Sequence, residues 1–227
     1  GIFIDVSTTF VEHGRKIIRN SRIADNYAAY HGGGIHITGS ARVEVESTEV
    51  VGNTAGYDGG GIYVYDSELL VTDSLIADNR ATYFSDNGLG GFTGSHGGGI
   101  CATNRSNVGL FRSILRSNTA TGDGGGIASL AVFSTPSYVF VRDSMIVGNI
   151  AGGDGGGARL WLGEHSFVNS TIAFNEASGS GGGISSEIFS FYETFVELAQ
   201  VTISKNRAAH RDGGLSLGSS IVSRSTI

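Results

Sequence analysis

Short runs of alternating apolar and polar residues recur along the whole chain. Ten and eight positions before a series of asparagines stand paired residues: Val43 and Val45, Leu69 and Val71, Val108 and Leu110, Val139 and Val141, His165 and Phe167, Val196 and Leu198. A period of two puts each pair on one face of a β-strand. A second strand follows each glycine cluster, with Ile35 and Ile37, or Ile62 and Val64, on its inward face. A third lies just before the asparagine and supplies the column Ile23, Val50, Ile76, Leu115, Ile146, Ile172 and Ile203. These segments are rich in β-branched residues, and none shows the helical period.

The strands are set in a repeated phrase, S-x-I-x-x-N-x-A-x-x-[DH]-G-G-G-I, which Ser144 to Ala158 follows closely. Its fixed points are Asn26, Asn53, Asn79, Asn118, Asn149, Asn175 and Asn206, with Ala28, Ala55, Ala81, Ala120, Ala151, Ala177 and Ala208 two residues after each. The shortest spacing, Asn53 to Asn79, is 26 residues. A unit of that size cannot bury its own apolar face, so successive units must stack. The expected fold is all-β: a right-handed parallel β-helix, one continuous solenoid over residues 1–227, with three strands per coil. The hand is taken by analogy with most three-faced examples. Gly1-Ile2-Phe3-Ile4 matches Gly34 to Ile37, and Ser225-Thr226-Ile227 matches Ser170 to Ile172. No capping unit stands at either end, so the stretch is expected to belong to a longer array.

Composition explains the corners. The chain has 37 Gly against one Pro, and most glycines recur at fixed places in the repeat, which makes them turn residues and not a flexible linker. Three in a row permit positive φ and close approach of neighbouring turns, and the alanine column keeps its corner close-packed. The asparagine column is expected to be a structural ladder of stacked carboxamides on a turn whose left-handed conformation Asn tolerates. Before the glycines stand His31, Asp58, His96, Asp123, Asp154, Ser180 and Arg211. Asp123 and Asp154 fall in adjacent coils and form a candidate Ca2+ position. Asp before Gly is also ordinary turn chemistry, the reading adopted here, so no cofactor is expected.

The net charge of −6 and the scattered Lys and Arg argue against a nucleic-acid partner. No apolar run approaches the length of a membrane-spanning helix. The single cysteine, Cys101, excludes an intrachain disulfide and has no evident base partner. Outward charges such as Glu44, Glu46, Asp73, Arg112, Arg142 and Asp143 vary from coil to coil, and no catalytic set emerges from them.

The repeat is interrupted by an insertion between Asn79 and Gly97 and by bulges after Ile127 and Ile184. The bulges and the coil between them carry Phe133, Trp161, Phe189, Phe191 and Tyr192. If these gather on one side of the rod they form a binding patch, because aromatic faces stack on sugars and anchor interfaces. The alternative is that they pad the bulges against the rod.

The pairing of GGGI with I-x-x-N resembles the GGA[ILV] and FxxN repeats of chlamydial polymorphic outer membrane proteins, and more broadly the β-helix repeat regions of large bacterial surface proteins. The resemblance runs over nearly the whole chain, at Gly32–Ile35, Gly59–Ile62, Gly97–Ile100, Gly124–Ile127 and Gly181–Ile184. Here the third small residue is Gly and the F position is aliphatic, as in Ile23 and Ile146. The resemblance implies an extracellular or cell-surface passenger exported by an autotransporter or similar route, acting as an adhesin or structural stalk without catalysis. Its partners would be an extracellular glycan, a host or neighbouring cell surface, or other copies of itself. Two alternatives stand beside it: a polysaccharide lyase or hydrolase of the pectate-lyase-like β-helix superfamily, and a self-assembling extracellular filament.

Overall fold

The computed structural model describes residues 1–5, 14–86, 92–130, 135–187, 194–218 and 220–223. The described residues contain β-strands and turns and no helix. Four parallel sheets run the length of the molecule, two of eight strands and two of seven. The first sheet stacks the strands that follow the glycine clusters, from Ile2–Asp5 to Leu215–Leu217, and the second runs from Lys16–Arg19 to Ser220–Ser223. The third runs from Arg22–Ala24 to Thr202–Ser204, the fourth from Tyr27–Ala28 to Arg207–Ala208. Each strand pairs with its counterpart one repeat away, which is a solenoid of parallel sheets. An antiparallel hairpin, Phe84–Asp86 with Phe92–Gly94, branches from it inside the first insertion.

The inward columns are those the alternation predicts. Val45, Val71, Val108, Val139, Phe167 and Val196 are 0 % exposed, as are Ile35, Ile62, Ile76, Leu115, Ile146 and Ile172. They join into one apolar cluster running through the rod. Each repeat holds four strands where three were expected. The extra one is the two-residue segment after each asparagine, such as Thr54–Ala55 or Ile150–Ala151, too short to carry a readable period.

Polar side chains at the corners tie coil to coil. Every asparagine from Asn26 to Asn175 donates from Nδ2 to Oδ1 of the next, over 2.9–3.0 Å. The same Oδ1 also accepts the backbone N–H of the preceding asparagine. The left-handed residue is not the asparagine. It is the residue before it: Asp25, Gly52, Asp78, Ser117, Gly148, Phe174 and Lys205 all have φ between 54° and 66°. The preceding residue makes the turn, and the asparagine amide is left to bridge the coils.

A second ladder was not anticipated. The N–H groups of Ser21, Thr48, Ser74, Ser113 and Ser144 are accepted by the hydroxyls of Thr48, Ser74, Ser113, Ser144 and Ser170. Such side-chain acceptors meet backbone donors that a buried corner would otherwise leave unpaired. The glycines permit the close approach. A Cβ on Gly60 would lie 2.4 Å from the Arg80 carbonyl carbon and 2.5 Å from the Gly98 oxygen, and one on Gly61 would press on the Asn79 amide at 3.0 Å.

Candidate functional site

Two outward columns along the first sheet build the site. The turn column before the glycines forms one edge. Its side chains cap the neighbouring coil: His31 Nδ1 accepts from Asp58 N–H, Asp58 Oδ1 from His96, His96 Nδ1 from Asp123, Asp123 Oδ1 from Asp154, and Asp154 Oδ1 from Ser180. This is turn chemistry in a continuous form, and it commits one oxygen each of Asp123 and Asp154 to backbone donors, both at 2.7 Å.

The middle column is set by strand register: Phe3, His36, Tyr63, Cys101, Ala128, Arg159, Ser185 and Ser216. Arg159, on strand Ala158–Trp161, is the one permanent charge in it, and only 5 % of its side chain is exposed. Its guanidinium is the centre of a charged cluster. Nη2 reaches Glu187 Oε2 at 2.5 Å, Nη1 donates to Ser185 Oγ at 2.8 Å and lies 3.6 Å from Asp154 Oδ2, and Nε lies 3.7 Å from Asp123 Oδ2. That Nε makes no hydrogen bond. The guanidinium also stands 5.6 Å from the centre of the Trp161 ring, within cation–π range.

The structure therefore gathers Asp123, Asp154 and Trp161 around Arg159, which the sequence reading had not singled out. Phe133, Phe189, Phe191 and Tyr192 lie outside the described residues. The signal for Arg159 was a single departure: its strand reads A-R-L-W where the neighbouring ones read I-A-S-L and I-S-S-E. Among the described residues no group of three or more His, Cys, Asp or Glu is arranged to hold a metal ion. The free oxygens of Asp123 and Asp154 face a guanidinium, and Ca2+, which takes six or more oxygens, would have to displace it.

Beside Arg159 the column shrinks to Ser185 and Ser216, and a cleft of about 370 Å³ opens. Asp154, Arg159, Glu187, Arg211 and Asp212 line it together with Ser180. At the opposite end of the same sheet the column is filled by rings. His31 stacks on Tyr63 at 4.5 Å, Tyr57 on Tyr83 at 4.5 Å, and Tyr30 on Tyr57 at 5.8 Å. Between the two, Tyr63, Cys101 and Ala128 form a small buried cluster, and burial pushes the Cys101 thiol well above its ordinary pKa.

Several outward charges on the second sheet are paired from coil to coil: Arg15 with Glu44 at 2.9 Å, Arg19 with Glu46 at 2.8 Å, Arg42 with Glu68 at 3.0 Å. Arg112 takes both oxygens of Asp73 and holds that carboxyl below its usual range. Arg15 and Arg42 join Leu70, Gly109 and Phe140 around a depression of about 580 Å³ on the second sheet. No family model matches the chain, and comparison with curated proteins and with solved structures finds no match.

Proposed function

We propose that the chain is a right-handed parallel β-helical rod from a secreted or cell-surface protein, an adhesin-like passenger that holds an extracellular glycan at the Arg159 cleft. One observation carries the binding reading: Arg159, Asp154, Glu187 and serine hydroxyls converge on one cleft, with the Trp161 ring behind its lining at 5.6 Å from the Arg159 guanidinium, on a scaffold whose corner groups are otherwise spent on one another. Fixed donors and acceptors around a hollow of this size, next to an aromatic ring, are the chemistry that recognises a sugar. The surface address is supported by the likeness of GGGI and I-x-x-N to the passenger repeats of bacterial surface proteins.

A glycan array probed with the full chain tests the reading. Binding that falls at least about tenfold in Asp154→Asn and in Trp161→Ala, with the circular dichroism unchanged, is the expected result. No bound glycan, or binding untouched by either change, contradicts it. Release of new reducing ends by the wild-type chain would replace binding by hydrolysis, and concentration-dependent sedimentation without any glycan bound would favour the filament.

A further inference from the structure

We infer that the Arg159 cleft selects a glycan carrying free ammonium groups over neutral or acidic ones. The inference rests on the glycan-binding reading above and specifies its ligand. Three carboxylates, Asp123, Asp154 and Glu187, surround the single guanidinium of Arg159. The cleft adds Arg211 and Asp212, one charge of each sign. The charged residues that line the cleft, Asp154, Glu187 and Asp212 against Arg159 and Arg211, therefore keep one negative charge in excess, with Asp123 behind the guanidinium.

Those charges are available. Asp123 and Asp154 each spend one oxygen on a backbone N–H, and their other oxygens lie 3.7 and 3.6 Å from the guanidinium, beyond a good hydrogen bond. Glu187 is tied to Arg159 by one oxygen, and 55 % of its side chain is exposed. Its second oxygen has capacity for another donor. An ammonium group brings three donors and the missing positive charge to a site of this kind. A carboxylated sugar would bring a further acceptor into an acceptor-rich wall, and a neutral sugar would leave the excess charge unmet.

The floor suits the rest of the ligand. Ser180, Ser185 and Ser216 present hydroxyls that both donate and accept, which fits sugar hydroxyls. Arg159 lines the cleft with its guanidinium held in place by Ser185 and Glu187, so its charge stands at a fixed position against the ligand.

The test titrates the full chain, by calorimetry, with β-1,4-linked glucosamine oligomers, their fully N-acetylated counterparts and galacturonic acid oligomers of equal length. The glucosamine oligomers should bind at least about tenfold more tightly than either of the others, and the margin should shrink as ionic strength rises to about 0.5 M. Glu187→Gln should erase the preference, whereas Glu49→Gln, which removes the same charge from the third sheet, should leave it intact. That control separates the cleft from general attraction to an acidic protein. Equal binding of the amino and acetylated forms, or tighter binding of the acidic one, overturns the inference and leaves glycan binding standing. Loss of the preference in Glu49→Gln as well also overturns it. Failure of every glycan, on the array and in solution, overturns both.

Discussion

The two ends of the first sheet share one scaffold and differ in what fills its outer face. Two residues after the alanine of each repeat stand Tyr30, Tyr57 and Tyr83, then Gly122, Gly153 and Gly179, and last His210. In the tyrosine repeats the rings stack on each other, Tyr57 tilts against His31, and His31 stacks on Tyr63, so the surface is covered by its own side chains. In the glycine repeats the space goes to the turn column. A Cβ on Gly153 would meet Asp123 Oδ1 at 2.1 Å, and one on Gly179 would meet Asp154 Oδ1 at the same distance. The glycines at these two positions leave room for the carboxylate of the preceding repeat to cap the coil. The carboxylate's second oxygen is then turned toward Arg159. One backbone pattern yields a self-satisfied aromatic face at one end and a charged cleft at the other, and the difference lies in a handful of side chains.

Four changes would break or sharpen that contrast. The largest effect is expected where the ends share a device. Asn118→Val strips acceptors from the N–H and Nδ2 of Asn79 and leaves the Ile76 carbonyl without its donor, all in a fully buried corner. At about 1–3 kcal/mol for each stranded group, a loss of about 4 kcal/mol should appear in urea unfolding. It should destabilise both ends alike.

Arg159→Met should act on one end only. It removes the single cation between three carboxylates, and because those carboxylates are partly exposed we expect about 2 kcal/mol, below the range for a fully buried pair. Hydrogen exchange should quicken around Asp154 and Glu187 and stay unchanged around Tyr57.

His165 makes the same end acid-sensitive. It occupies the inward column between Val139 and Val196, is 1 % exposed, and neither ring nitrogen has a hydrogen-bond partner. Burial pulls its pKa down to about 3. The folded state therefore resists the proton that the unfolded chain accepts below about pH 6.5, so stability is full above that value and falls as pH drops toward about 3. At pH 5 the loss is about 2 kcal/mol. His165→Val should remove that dependence and raise stability at neutral pH as well. A melting temperature that falls equally between pH 7 and pH 5 in wild type and His165→Val would contradict this.

The smallest effect belongs to the aromatic end. Tyr57→Ala deletes a ring stacked between Tyr30 and Tyr83, about 36 % exposed, and should cost about 1 kcal/mol in thermal unfolding without changing the acid response.

What repeats was legible in the sequence, and what occurs once was not. Asn79 and Ile76 declare themselves because every coil has their counterpart. The hydroxyl ladder is less legible for a different reason: its column runs Ser21, Thr48, Ser74, Ser113, Ser144 and Ser170 but ends in Val201, and a hydroxyl beside an aliphatic column reads as an ordinary outward residue until the backbone shows its partner. The fourth sheet escaped because two residues carry no period. Arg159 escaped because its role depends on register: only the pairing of Arg159 with Ser185 and the turn that carries Asp154 bring the cluster together. The departure from I-A-S-L was visible, but its three carboxylate partners come from three other repeats or turns.

The most direct test of this division between closed and open ends is a side-by-side titration of immobilised glucosamine oligomers with two variants. One has Tyr30, Tyr57 and Tyr83 changed to alanine, and the other carries Glu187→Gln. The account predicts that the triple change leaves the dissociation constant within about twofold of wild type, while Glu187→Gln raises it about tenfold or more. Loss of binding in the tyrosine variant with retention in Glu187→Gln would contradict it and move the site to the aromatic end.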